Sequence, residues 1–243
     1  METVIEVNKL HKSYDSVNAV NGISLTVNRG EVFGLLGANG AGKSTTIECI
    51  LGTRHPDSGE VSILGMNPLK DRKKLFERIG VQFQEISYQD KIKVSELCQV
   101  TSSFYKNPAD YLVLLQQFGL TDKKNSYVAE LSGGQKQRLF IVLSLIPKPE
   151  IVFLDELTTG LDPKARRMVW KSLTDLKNKG LTILLTSHFC DEVEVLCDRI
   201  MILKRGEIAF YGTVSDAIFK SPFDHFEDAY LWYADEEVEN ENI

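Results

Sequence analysis

Residues 31–50 constrain this chain more than any other stretch. "EVFGLLG" is a short apolar run ending in glycines, and "GKSTTIECILG" continues from it with helical periodicity. Strand, glycine loop, helix is the reading. The residues at the junction, "GANGAGKS" at 37–44, fit G-x-x-x-x-G-K-[ST] without a mismatch. In that pattern the glycines let backbone N–H groups close around phosphate oxygens, and the helix that follows adds its positive N-terminal end. Lys43 is placed to reach the β- and γ-phosphates and the Ser44 hydroxyl to hold Mg²⁺. A glycine turn with an exposed Lys is the plainer alternative, but the strand before it and the helix after it favour a nucleotide site.

The rest of the chain supports an α/β fold. "VIEVNKL" and "ISLTV" alternate as antiparallel strands, with a turn expected at Asn21-Gly22. Residues 59–83 hold two more short strands around the charged helix "PLKDRKKLFERI". From about 90 to 130 the pattern is helical, with breaks at Asn107-Pro108 and Gly119, as an inserted helical subdomain would read. Strand-like runs return at "IVFLDE", "LTILLTSH" and "RIMILK", between helices near 163–178 and 189–197. This alternation predicts a mostly parallel sheet covered on both faces.

"IVFLDE" supplies the second half of a phosphate-transfer site. Its four apolar residues form a buried strand, and Asp155 at the C-terminal end can bind Mg²⁺ through its hydration shell. Glu156 follows at once, placed to polarise an attacking water. GTPases usually carry a guanine-reading N-K-x-D segment, which is absent here, so ATP is the expected nucleotide.

The chain has 243 residues, enough for one α/β domain with an insert. Its formal net charge is -6, and the last nine residues, "DEEVENENI" at 235–243, hold five acids and no base. That tail reads as disordered and solubilising, and the remainder lacks the basic excess of a nucleic-acid binder. No signal peptide is visible, and the longest apolar run, "LFIVLSLI", is too short to span a membrane. Cys49, Cys98, Cys190 and Cys197 form no CxxC pair and read as inert thiols of a reducing cytoplasm.

One stretch, "LSGGQKQR" at 131–138, has no evident task in a core. The phosphate loop, "LSGGQ" and "IVFLDE", in this order and spacing, resemble the nucleotide-binding subunit of ATP-binding cassette (ABC) transporters over about residues 4–232. The resemblance implies a single ABC ATP-binding domain over 1–243. Its core would be a RecA-like P-loop NTPase sheet, mostly parallel, with an N-terminal antiparallel β subdomain and an α-helical subdomain at about 90–147. It also implies that two copies pack head to tail. Ser132, Gly133, Gly134 and Gln135 of one copy would then meet the γ-phosphate held by the other.

Other roles follow from the resemblance residue by residue. Gly37, Ala38, Asn39, Gly40, Ala41, Gly42, Lys43, Ser44, Thr45 and Thr46 would bind the nucleotide, with Tyr14 stacking on adenine. Mg²⁺ would be held by Ser44, Gln84 and Asp155. Gln84, before Glu85, aligns better than Gln82, which competes on chemistry alone. Lys43, Gln84, Glu156 and His188 would be catalytic, and Asp162 would touch the opposite subunit. Leu157 and Ala38 stand where the family often has Pro, which should alter loop stiffness and not the chemistry. The resemblance implies a homodimer powering separate transmembrane permease subunits at the cytoplasmic face of the cell membrane. Tyr88, Phe104 and Tyr105 are candidates for the docking surface, though core packing accounts for them equally well. "TTGLDP" and the C-terminal "FEDAYLW" resemble exporter cassettes. Import, or a soluble ABC ATPase without a transport role, are the alternatives.

Overall fold

The alternating N-terminal stretches form a long antiparallel pair, β1 (Thr3–Tyr14) and β2 (Val17–Asn28). The computed structural model describes residues 2–82, 88–89, 91–187 and 189–234. The chain continues through β3 (Val32–Gly37), α1 (Lys43–Ile50), β4 (Ser58–Ile63) and α2 (Arg72–Phe76). Next come β5 (Ile79–Gln82), α3 (Val94–Ser103), α4 (Tyr111–Gln117), α5 (Gly133–Leu145), β6 (Ile151–Leu154) and α6 (Pro163–Lys177). β7 (Thr182–Thr186), α7 (Cys190–Leu196), β8 (Arg199–Lys204), β9 (Glu207–Gly212), α8 (Val214–Lys220) and α9 (Phe226–Ala234) complete it. Two compact units result, one of Met1–Leu75 with Leu184–Ile243 and one of Phe76–Ile183.

In the first unit, β4 pairs antiparallel with β1, giving the order β2-β1-β4. Val4, Ile5, Val7 and Leu10 are buried, while Glu6, Asn8 and Lys9 are exposed. The alternation slips at Asn8-Lys9, where Lys9 adopts φ +46° and donates its N–H to the Ser24 hydroxyl at 2.9 Å. Register shifts on both sides of β1 at this point mark a bulge that returns Leu10 to the inner face. The hairpin turn between β1 and β2 lies at Asp15-Ser16, not at Asn21-Gly22 as the sequence suggested. Asp15 takes the left-handed conformation there (φ +48°), and Gly22 spends its own positive φ on an irregularity inside β2.

The same unit contains β3, buried at every position, which pairs parallel with β8. β9 pairs antiparallel with β8 through a tight turn at Arg205-Gly206, both residues at positive φ. Leu36, Val193, Ile200, Ile202, Phe210, Ala217 and Phe226 pack into one cluster that ties α7, α8 and α9 to these strands. Each Val, Leu, Ile or Phe side chain of the cluster, fully withdrawn from water, contributes roughly 1.5–3 kcal/mol. The second unit pairs β5 with β6 in parallel, and β6 is buried along its whole length. Between Val94 and Leu145 its described residues form helices and two short 3-10 turns, with no strand. Asn107-Pro108 falls between α3 and α4, and Gly119 (φ +65°) follows α4.

A bidentate ion pair fastens the antiparallel sheet to β8 and β9. Arg199 donates through Nε and Nη2 to Glu31, through Nη1 to the Tyr211 hydroxyl (2.8 Å), and through Nη2 to the Thr26 carbonyl (2.8 Å). Glu31 also accepts the Asn28 N–H at 2.7 Å and is only 7% exposed. All four cysteines are free, and burial pushes the Cys49 thiol up to about 11 and the Cys98 thiol up to about 12. Both stay protonated at neutral pH, as unreactive thiols do.

Removing one partner of a buried charge pair leaves the other without compensation. Arg199→Leu is therefore expected to destabilise the protein by roughly 3 kcal/mol, read as a lowered midpoint in urea unfolding. Arg29→Leu, which breaks the exposed pair with Glu2, serves as the contrast and should cost less than ~1 kcal/mol.

Candidate nucleotide site

The phosphate loop is built where three stretches of backbone meet. Gly42, at φ +102°, caps the N-terminus of α1, and a Cβ added to it would lie 2.1 Å from the Ala19 carbonyl oxygen on β2. On another side the Ala41 carbonyl accepts the N–H of Gly206 at 3.1 Å, and the Gly206 carbonyl accepts the N–H of Asn21 at 2.8 Å. A Cβ on Gly206 would meet the Asn18 oxygen at 2.6 Å. Only glycine fits either position, since the approach is backbone to backbone. Lys43 is 7% exposed and donates from Nζ to the carbonyls of Gly37 (2.8 Å) and Ala38 (3.0 Å).

The loop suits a triphosphate. The N–H groups of Gly40, Gly42, Ser44 and Thr45 have no hydrogen-bond partner among the described residues, and they stand at the positive end of α1. Ala38, Asn39, Gly40 and Ser44 are exposed. Thr46, by contrast, is fully buried, and its hydroxyl donates to the Gly42 carbonyl at 2.7 Å, bracing the first turn of the helix. Tyr14, at the end of β1, is 37% exposed, with the Arg54 guanidinium 5.2 Å and the Lys12 ammonium 5.6 Å from its ring centre. Glu48 of α1 holds Arg54, and Asp57 holds Lys12.

The second unit carries the acidic residues. Asp155 and Glu156 lie half-buried just past β6, and the Asp155 N–H donates to the Gln82 carbonyl at 3.2 Å. Glu156 takes a left-handed backbone conformation at φ +50°. Its carbonyl accepts the Nε2–H of Gln137 at 3.0 Å, and the next carbonyl, of Leu157, accepts the same group at 3.2 Å. Ser132 is the exposed N-cap of the 13-residue α5. The Gln135 N–H donates to its hydroxyl at 3.3 Å, and its own N–H donates to the Gln135 side chain at 3.0 Å. The N–H groups of Gly133 and Gly134 have no partner among the described residues. Asp162 caps α6, accepting N–H groups from Lys164 and Ala165 at 2.9 Å each, and these hold its carboxyl below the usual carboxylate range.

Residues 37–46 and Tyr14 thus belong to the first unit, while Asp155, Glu156, Asp162 and residues 132–135 belong to the second. Gln84 and His188 lie outside the described residues. Sequence reasoning passed over three supports: Gly206, Arg54 and Gln137. Only the "RG" dipeptide at 205–206 carried a local signal, that of a two-residue hairpin turn.

Residues 20–159 match the family model "ABC transporter". The chain is 40% identical over 222 residues to the Nod factor export ATP-binding protein I of Rhizobium etli, covering 89% of this chain and 70% of that protein. It is 36% identical to the linearmycin resistance ATP-binding protein LnrL of Bacillus subtilis, covering 88% and 70%. A solved ATP-binding subunit of an ABC transporter superposes with TM-score 0.87 at 28% identity, covering 96% of this chain and all of that one. A dimeric ATP-binding cassette in a post-hydrolysis state with ADP and Pi gives TM-score 0.79 at 25% identity, covering 86% and 98%. The protein belongs to the ABC transporter family. It is an ATP-binding cassette whose activity, coupled to transport, is hydrolysis of ATP to ADP and phosphate.

Replacing Lys43 by Ala removes the one buried ammonium in the loop and its hydrogen bonds to the Gly37 and Ala38 carbonyls. Lys43→Ala is expected to weaken ATP binding by at least about tenfold while the far-UV circular dichroism stays native. Titration with a fluorescent ATP analogue measures this, and unchanged affinity would discredit the phosphate-loop assignment.

Proposed function

We propose that this chain is the ATPase subunit of an exporter and works as a homodimer that closes on two ATP. Separate transmembrane permease subunits would hold it at the cytoplasmic face of the membrane. The observation that carries the dimer is the N-terminus of α5. Ser132 is exposed there, and the N–H groups of Gly133 and Gly134 have no partner among the described residues. An anion-binding end presented in this way suits a phosphate brought by a second copy. The solved cassette with ADP and Pi is itself dimeric. Export is favoured by relatives whose names concern Nod factor export and linearmycin resistance. No helix among the described residues is long and apolar enough to cross a membrane.

The roles follow from the chemistry of each group. The loop N–H groups and Lys43 bind and orient the triphosphate, and Tyr14 presents its ring to the base. Glu156 takes the proton of the attacking water, and His188 steadies the γ-phosphate. Ser44 and Asp155 are hard oxygen donors of the kind Mg²⁺ prefers, with Gln84 as a third. Bound there, Mg²⁺ would neutralise charge that develops on the transferred phosphoryl group. The domain is read as single over 1–243, with the helical region of about 90–147 passing motion to the permease. Phe104, 75% exposed at the end of α3, is the aromatic most available for that contact, whereas Tyr105 and Tyr88 are half-buried.

Two variants test this reading. Glu156→Gln should bind ATP with native affinity, turn over at least about a hundredfold more slowly, and elute as a dimer in size-exclusion chromatography with ATP. Normal turnover would remove the general-base role. Ser132→Arg should leave ATP binding to the monomer intact and abolish that dimer. An unchanged ATP-dependent dimer would remove the contact in trans.

A further inference from the structure

Gln137 sits one turn into α5 and points its amide at the loop that follows β6. It belongs neither to the phosphate loop nor to residues 132–135. Its Nε2–H donates to the carbonyls of Glu156 (3.0 Å) and Leu157 (3.2 Å), and the Glu156 carbonyl also accepts the Thr159 N–H at 3.3 Å. Glu156 has a left-handed backbone (φ +50°), a conformation that a non-glycine residue keeps only when its surroundings hold it. The side chain of Leu157 is fully buried, which limits the loop from within. Nearer the start of α5, a Cβ on Gly134 would approach the Leu161 Cδ2 at 3.0 Å and the Gly160 carbonyl oxygen at 3.2 Å. The same helix thus contacts the loop at both ends, at 156–157 and at 160–161.

We propose that Gln137 is a positioning residue, through which α5 sets the place of Glu156 in the same chain. It does so without touching nucleotide or water. The amide is well suited to this, because one NH₂ group spans two successive carbonyls and so defines the peptide plane between them. A plane fixed on that side directs where the Glu156 carboxylate emerges. Catalytic geometry tolerates little error: a displacement of about 1 Å at a reacting group can cost a hundredfold in rate. The proposal rests on the reading of Glu156 as the base. It adds that the helix presenting Ser132 and Gly133 to phosphate also holds that base.

The test is a double-mutant cycle on steady-state ATP hydrolysis by the full chain. Gln137→Met keeps length and removes the donor. Gln137→Glu keeps shape and sets acceptors against the two carbonyls. Either variant should lower kcat on the order of tenfold with KM for ATP and ATP affinity unchanged. Placed in the Glu156→Gln background, either should leave the residual rate unaltered, because the group it positions is already gone. An equal further loss in that background would mean that Gln137 acts elsewhere, and an unchanged kcat in the parent would mean that it positions nothing; each overturns the proposal. If Glu156→Gln alone retained full turnover, the general-base reading itself would fall and the positioning role with it. Native unfolding midpoints for the variants separate all of these outcomes from misfolding.

Discussion

The close meeting of backbones around residues 41–42 is the constraint on which the nucleotide site depends. The loop lies between Ala19 of β2 and the Arg205-Gly206 turn, with no side chain interposed on either flank. This spacing forces glycine at 42 and 206 and puts Ala41 under a hydrogen bond from another hairpin. The loop is therefore rigid before any ligand arrives. Lys43 completes it from beneath, its ammonium satisfied by two loop carbonyls in a site only 7% exposed. A phosphate bound there, as proposed, would meet a cation already desolvated and oriented. The exchange replaces neutral acceptors by charged ones, which strengthens the hydrogen bonds and adds no ordering cost.

The ion pair between Arg199 and Glu31 serves the same end from farther away. Glu31 stands one residue before β3, Thr26 belongs to β2, and Tyr211 belongs to β9. One guanidinium thus joins the sheet that supplies Ala19 to the hairpin that supplies Gly206. Tyr211 and Phe33 also lie 5.5 Å and 5.8 Å from the guanidinium, which shields the pair from water. The flanks of the loop are held at the spacing that the glycines require. Packing and electrostatics in this unit converge on one short stretch of chain.

Much of this was legible in the sequence because the signals were local. The phosphate loop, the buried run "IVFL", and the capped helices at 133 and 163 each declare themselves within a dozen residues. Ser132 and Asp162 were singled out for partners in trans, and both also serve as N-caps within their own chain. What was missed depends on distant residues. The hairpin turn was placed at Asn21-Gly22 because that dipeptide is a strong turn signal, yet the ladder closes at Asp15-Ser16 and consigns Gly22 to an irregularity within β2. β9 drew no notice, since Glu207–Gly212 alternates only weakly and its pairing with β8 is decided by the turn before it. Gln137 lies inside the most specific motif of the chain, but its partners are 19 and 20 residues away and are backbone atoms, which leave no trace in residue identity.

The division of these parts has a chemical consequence. In the proposed assignment, the groups that hold a chain's own nucleotide, residues 37–46 and Tyr14, belong to one compact unit, and Asp155, Glu156 and the stretch 132–135 offered to a second copy belong to the other. Binding draws on preformed N–H groups and a buried cation, terms that do not change when a proton moves. On the proposed roles, hydrolysis draws on the place of the Glu156 carboxylate, whose backbone is left-handed and held by the Gln137 amide through two carbonyls. Losses of affinity and losses of turnover should therefore arise at different positions in the sequence. Glu156 carries its left-handed backbone at the position proposed for turnover. A loop that bound the nucleotide through such a residue would spend binding energy on holding its own backbone. The phosphate loop takes its positive φ angles on glycines alone, Gly37, Gly40 and Gly42, and so offers ATP an unstrained surface, while the left-handed Glu156 belongs to the other unit, at the position proposed for the chemical step.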